Sequence, residues 1–292
     1  MMGACCARTA WYPFALTAVL SWSGDARAVC PSHEMVNAIL RFQEAKEPVR
    51  GLRTDLSMRD AECGRRRLVE KLEAVDNRIV GYKAGLTNAR IQAQLGVTSP
   101  VRGVLLGKML LADGADVAAD FGARPAFEAD LMVVVKDAAI HQAKTHLEVL
   151  RALSLVIPFI ELPDLMVAEG EKLSASLIVW LNAGARLGVV GKGIPVQATP
   201  EFAAALAAMQ IVVTDRGGKE LAAGNGAAIL EHPLNAVLWL AQDLERSRIK
   251  LKPGDRLSLG SFTPPLTPRP GLAVTVRYEG LPGNPSVSVR FK

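Results

Sequence analysis

Two acidic residues two positions apart, Glu128 and Asp130, lead into the apolar run Leu131-Met132-Val133-Val134-Val135. On a strand such residues share a face. Side by side, two carboxylates repel each other unless one holds a proton or a cation bridges them. A hard divalent ion with oxygen ligands, magnesium or manganese, resolves that conflict. The same alternation also fits a solvated strand face with its acids in water. Glu161 closes a second apolar run, Pro158-Phe159-Ile160, where a buried charge needs an ion partner or a metal, and where a strand end facing water is the alternative. Three carboxylates would leave positions on an octahedral ion for water or substrate oxygens. Lys83, flanked by Gly81 and Gly85, could stabilise an enolate or move a proton beside such an ion; taken alone it fits a surface turn. His232, before Pro233 and Asn235, fits a hydrogen-bonded histidine at a helix entry, with a general base as the other reading.

The elements that must hold these residues follow from hydrophobic spacing. Met35, Ile39, Leu40 and Phe42, then Leu68, Leu72 and Val75, recur at helical intervals on either side of Thr54-Asp55-Leu56-Ser57, which predicts a helical lobe over 32–74. From Ile79 the chain turns to short apolar runs broken by Gly and Pro. Residues 272–278 and 287–291 alternate with period two around a Gly-Leu-Pro-Gly-Asn-Pro turn. Further helices are expected over 146–156, 200–209 and 235–248, with Asn235 capping the last. The fold class expected is α+β, a curled and mostly antiparallel β-roll or barrel with a helical N-terminal lobe. A doubly wound dinucleotide fold is disfavoured, since regular crossover helices and a GxGxxG motif are both lacking.

Composition narrows the function. Half of the 292 residues are hydrophobic and 22% are charged, enough for a sizeable core. Aromatics make up only 5%, and the net charge of +5 is scattered, with Arg65-Arg66-Arg67 as the one tight basic run. Neither supports nucleic-acid binding; a small anionic substrate suits the balance. Arg8, the apolar stretch 11–22 and Ala26-x-Ala28 have the order of a secretory leader over 1–28, the alternative being an ordinary apolar N-terminus. The stretch is short for a membrane span, so no membrane association is expected once it is removed. Cys30 and Cys63 remain in the mature chain, as a disulfide or as two unrelated thiols. The expected plan is a leader over 1–28, the lobe over 29–76 and a catalytic domain over 77–292. The expected location is periplasmic or secreted, or cytoplasmic if the leader reading fails.

Gly81-Tyr82-Lys83-Ala84-Gly85-Leu86-Thr87, Gln94-Leu95-Gly96-Val97, Arg124-Pro125, the carboxylates 128, 130 and 161, Asn182-Ala183, His232-Pro233-Leu234-Asn235-Ala236 and Leu251-Lys252-Pro253-Gly254-Asp255 occur in one order over about 35–292. That ordered set resembles the 2-keto-4-pentenoate hydratase and 2-oxo-acid decarboxylase branch of the fumarylacetoacetate hydrolase superfamily. The resemblance implies a homo-oligomer with Glu128, Asp130 and Glu161 on magnesium or manganese, Asp130 replacing a more usual glutamate. It implies Lys83 as the proton-handling catalytic residue and Arg124, Asn182 and Ser261 as substrate contacts. Val101, Lys108 and Leu259 depart from the pattern, the first two standing where similar hydratases often carry acids.

Three functions follow. The first is a metal-dependent lyase hydrating a small unsaturated acid such as 2-hydroxypenta-2,4-dienoate. The second uses the same site for 2-oxo-acid decarboxylation or C–C hydrolysis of an acylpyruvate. The third, suggested by the departures at Lys108 and Leu259, is an exported binding protein without turnover.

Overall fold

In the computed structural model, which describes residues 30–74 and 78–292, the chain opens with two capped helices. Helix α1 (His33–Ala45) starts where Ser32 Oγ accepts the Met35 amide at 3.2 Å, and α2 (Met58–Glu73) where Ser57 Oγ accepts that of Asp60 at 3.1 Å. The expected leader over 1–28 lies outside the described residues, as does Val75. Cys30 and Cys63 form a disulfide with Cα atoms 5.4 Å apart, tying the segment before α1 to the middle of α2. Beside it, a Cβ on Gly64 would fall 2.4 Å from the Trp180 ring, so glycine lets α2 settle against that fully buried indole. The lobe therefore shares one apolar cluster, including Val36, Ile39 and Leu68, with Met166, Val167 and Trp180 from later in the chain.

Next come β1 (Ile79–Gly85), α3 (Ala89–Gln94), β2 (Val101–Leu106), β3 (Leu110–Ala112), β4 (Ala115–Val117) and β5 (Glu128–Val135). The middle of the chain supplies α4 (His146–Arg151), β6 (Leu153–Leu162), α5 (Ala175–Trp180), β7 (Leu187–Val190), β8 (Ile194–Pro195) and α6 (Pro200–Ala208). It ends with β9 (Gln210–Asp215), β10 (Glu220–Asn225), α7 (Pro233–Arg246), β11 (Arg256–Ser261), β12 (Ala273–Glu279) and β13 (Ser286–Phe291).

These strands form two sheets. The larger is ordered β2-β1-β11-β5-β6-β7-β3, with β8 also on β6; the smaller is β10-β9-β12-β13-β4. Three pairs are parallel, β1 with β11, β3 with β7 and β4 with β13, and the others are antiparallel. The result is the expected α+β fold, a curled half-barrel with helices at the N-terminus. Strands β12 and β13 pack across β6, and α7 lies on β11 and β1.

Two expected helices differ in extent. The helix expected over 146–156 stops at Arg151, because Leu153 to Val156 pair with β5, and sheet pairing outweighs their helical spacing. Helix α7 starts at Pro233, whose missing N–H costs nothing in the first turn. Its N-cap is His232, not Asn235. His232 Nδ1 accepts the Leu234 amide at 3.0 Å and Nε2 donates to Ala203 O at 3.0 Å, while its ring stacks on His146 at 3.8 Å. Burial, and next the neighbouring His146, push His232 down to about 4, so it stays neutral and holds the cap. Asn235 instead donates to Leu230 O and accepts from His146. Among the described residues no helix is long and apolar enough to cross a membrane.

Candidate active site

The antiparallel register of β5 and β6 sets Glu128 directly opposite Glu161. Both line a cavity of about 630 Å³, and Lys83 on β1 lines it with them. Lys83 is only 3% exposed, and its Nζ donates to Glu161 Oε1 and, at 3.0 Å, to Ala183 O. That carbonyl faces the lysine because Asn182 and Ala183 both turn through the left-handed region (φ 55° and 54°). The lysine stem fits because Gly103 stands opposite it on β2. A Cβ there would lie 2.8 Å from Lys83 Cγ and from Asn182 O. Gly81 answers a separate demand, since a Cβ on it would sit 1.8 Å from the Arg256 carbonyl of β11.

The pair is short of positive charge. Burial, and after it the Glu161 charge, push Glu128 up to about 8, only partly offset by Lys83. Two facing carboxylates with one ammonium, bonded to Glu161, favour either a shared proton or a hard cation. Asp130 stands behind this pair. It is fully buried, and its carboxylate accepts from the amides of Leu131 (2.5 Å), Gly260 (3.0 Å) and Leu259 (3.2 Å) and from Ser258 Oγ (2.6 Å). The β11 amides reach it because β11 bulges between Ser258 and Ser261. Gly260, at φ +107°, passes so close to Thr87 that a Cβ would meet its Oγ1 at 2.2 Å. Burial and then Glu161 still push Asp130 well above the ordinary carboxylate range. Among the described residues no three His, Cys, Asp or Glu side chains form a ready metal-holding group. The donor chemistry that fits a divalent cation at the cavity is that of Glu128 and Glu161, two opposed carboxylates, one half-buried and one buried, with a deficit of positive charge.

Two of the expected substrate contacts are placed elsewhere. Arg124 donates to Val167 O at 2.7 Å, and its own amide is held by Asp164 at 2.8 Å, so it braces the loop before β5. Asn182 spans the Val104 backbone, accepting its N–H at 2.8 Å and donating to its carbonyl at 2.9 Å. Neither lines the cavity. Ser261 does line it, with its hydroxyl donating to Thr263 O at 2.6 Å inside its own turn.

The sequence reading missed the remaining wall. Leu86, Arg90, Ile91 and Leu95 come from β1's end and α3; Leu165, Leu173, Ile178 and Leu181 come from the segment around α5. Thr263 adds a buried hydroxyl with no hydrogen-bond partner. Also missed was Tyr278 on β12. Its hydroxyl reaches from the smaller sheet to the carbonyls of Asp130 and Phe159 (3.0 Å to the latter) and accepts the Phe159 amide at 3.3 Å.

No profile of a known protein family matches the chain. Individual proteins do. The chain is 34% identical over 213 residues, 73% of its own length and 78% of the relative's, to 2-keto-4-pentenoate hydratase 1 of Dechloromonas aromatica. The 4-oxalocrotonate decarboxylase of Pseudomonas putida G7, solved with magnesium and adipate and with calcium and acetate, superposes with a TM-score of 0.78 at 28% identity. That match covers 89% of this chain and, for the magnesium complex, 97% of the other. A protein of Oleispira antarctica described as a fumarylacetoacetate isomerase/hydrolase shares the fold at TM-score 0.51 and 15% identity, covering 74% of this chain and 95% of that one.

Proposed function

Since this chain belongs to the family of 2-keto-4-pentenoate hydratases, we propose that it is a divalent-metal-dependent lyase adding water to a small unsaturated 2-oxo or 2-hydroxydienoic acid, such as 2-hydroxypenta-2,4-dienoate. The observation that carries this is the Glu128–Glu161 pair, opposed across β5 and β6 at a cavity that also holds Lys83. Glu128 and Glu161 would hold the ion from the cavity wall; Asp130, expected as a third ligand, lies behind them with its carboxylate hydrogen-bonded to Leu131 and β11 and does not line the cavity. Magnesium or manganese bound there would supply a Lewis acid for the carboxylate and 2-oxygen of the substrate and for charge developing on them.

The chain's own residues account for the rest. Hydration of the dienol takes the 2-hydroxyl proton away and places one at C5, which yields the 2-oxo-3-ene, and then adds water across C3–C4, hydroxyl to C4 and proton to C3. Lys83 is a cavity-lining proton carrier whose ammonium is held in place by Glu161 and Ala183 O. Burial of the lysine strengthens its electrostatic interaction with a developing enolate.

The test is the purified chain with 2-hydroxypenta-2,4-dienoate and magnesium or manganese. The expected result is metal-dependent loss of the dienol and a 4-hydroxy-2-oxo acid by NMR. Failure to bind either metal together with an unchanged dienol would contradict the proposal. The likeness to the decarboxylase favours a second reading, loss of carbon dioxide from a vinylogous 2-oxo acid, which carbon dioxide release would reveal. Ligand-dependent thermal shifts without turnover would instead support a binding protein.

Export is proposed as well. The apolar stretch and Ala26-x-Ala28 support it, as does a disulfide, which persists in oxidising compartments. N-terminal sequencing of the exported protein tests it.

A further inference from the structure

The cavity has two unlike ends. Around Lys83, Glu128 and Glu161 it is charged, whereas its outer wall is made by Ile91, Leu95, Leu165, Leu173, Ile178 and Leu181. Three of these, Ile91 (40% exposed), Leu165 (38%) and Leu173 (36%), are among the five large hydrophobic side chains left exposed across all the described residues. Exposed apolar groups scattered singly need no explanation, but a cluster at the mouth of one cavity does. At about 630 Å³ the space is also in the range of pockets that enclose far larger molecules than a five-carbon acid.

We propose that this outer wall is a subsite for an uncharged aliphatic tail, so that the substrate is a 2-oxo or 2-hydroxydienoic acid extended beyond five carbons by several methylenes. This rests on the hydratase reading of the charged end and adds what that end cannot specify. The acid head is fixed at the carboxylates and Lys83, and the tail covers the Ile91, Leu165 and Leu173 side chains now facing water. Arg90, with Asn88, Gln94 and the unpaired Thr263 hydroxyl, also lines the cavity and would suit a second carboxylate instead. Among the described lining residues Arg90 is the one cation apart from Lys83, and an acidic tail laid along the aliphatic side chains would be desolvated without hydrogen bonds.

The experiment is calorimetric titration of the full magnesium-loaded protein with straight-chain 2-oxo acids from pyruvate to 2-oxooctanoate, with 2-oxoadipate as the dicarboxylate counterpart of 2-oxohexanoate. The expected result is a Kd that falls about fourfold per added methylene until the wall is covered, with 2-oxohexanoate binding more tightly than 2-oxoadipate. The double variant Ile91→Ser/Leu173→Ser, made at exposed positions that tolerate polar side chains, flattens that gradient. A Kd independent of chain length would overturn the subsite, as would tighter binding of 2-oxoadipate. So would a double variant that dissociates an oligomer while keeping the gradient, because the patch would then belong to a second copy of the chain. If no member of the series binds, pyruvate included, the hydratase reading itself fails, an outcome distinct from a flat gradient.

Discussion

The two sheets bury their strands in different ways. In the smaller one, β12 and β13 alternate, with Val274, Val276, Tyr278, Val287, Val289 and Phe291 buried and Arg277, Glu279 and Arg290 in solvent. In the larger one, β5 and β6 are covered on both faces, and among their apolar side chains lie Asp130 and Glu161, with Lys83 and Ser258 on the strands beyond. One sheet thus contributes apolar burial, and the other accepts the cost of buried charge. Tyr278 is the exception that joins them, an inward side chain of the apolar sheet whose hydroxyl bonds the backbone of Asp130 and Phe159.

The largest effect expected from this contrast is at Lys83. Lys83→Met should lower kcat by about 10²–10⁴-fold in a steady-state hydration assay, the range of a lost proton-transfer group, while magnesium still binds by calorimetry. Loss of metal binding with unchanged kcat in the residual holoenzyme would make the lysine purely structural. Tyr278→Phe tests the joint between the sheets. Leaving buried backbone groups at Asp130 and Phe159 without their hydroxyl should cost about 1–3 kcal/mol by urea unfolding. It should also weaken magnesium binding by about 10–100-fold, as loss of an outer-shell support does. A stability loss with magnesium affinity unchanged would confine Tyr278 to packing. The smallest effect belongs to the apolar sheet alone. Val276→Ala should cost on the order of 2 kcal/mol of stability and leave kcat and KM at the wild-type values. A shift in either would show that the smaller sheet shapes the site more broadly than through Tyr278.

The same contrast explains what the sequence made legible. Period-two alternation exposed the strands near 272–278 and 287–291, because a sheet with one wet face writes that pattern. A strand covered on both faces writes only an apolar run, which is why Leu153 to Val156 looked like the end of a helix. Glu128, Glu161 and Lys83 stood out as charges next to such runs or between glycines, and the structure brings all three to one cavity. Arg124 and Asn182 fell in the right blocks, but a block does not say which way a side chain points. Both satisfy backbone groups that the fold would otherwise strand. The aliphatic wall was invisible, because it is assembled from α3 and the segment around α5, more than seventy positions apart, and no local pattern marks such a surface. His232 was legible as a helix-entry residue and proved to be the cap itself.

The central claim is that the facing carboxylates Glu128 on β5 and Glu161 on β6 hold one divalent cation at the head of a 2-oxo acid beside Lys83. A crystal structure of the protein with magnesium and oxalate, a planar stand-in for the 2-oxo-acid head, tests it most directly. The account predicts one magnesium on Glu128 and Glu161, with oxalate chelated to it and lying on the Lys83 side of the cavity. Magnesium bound away from Glu128 and Glu161, or oxalate bound with no metal between those two carboxylates and Lys83 still paired with Glu161, would contradict it.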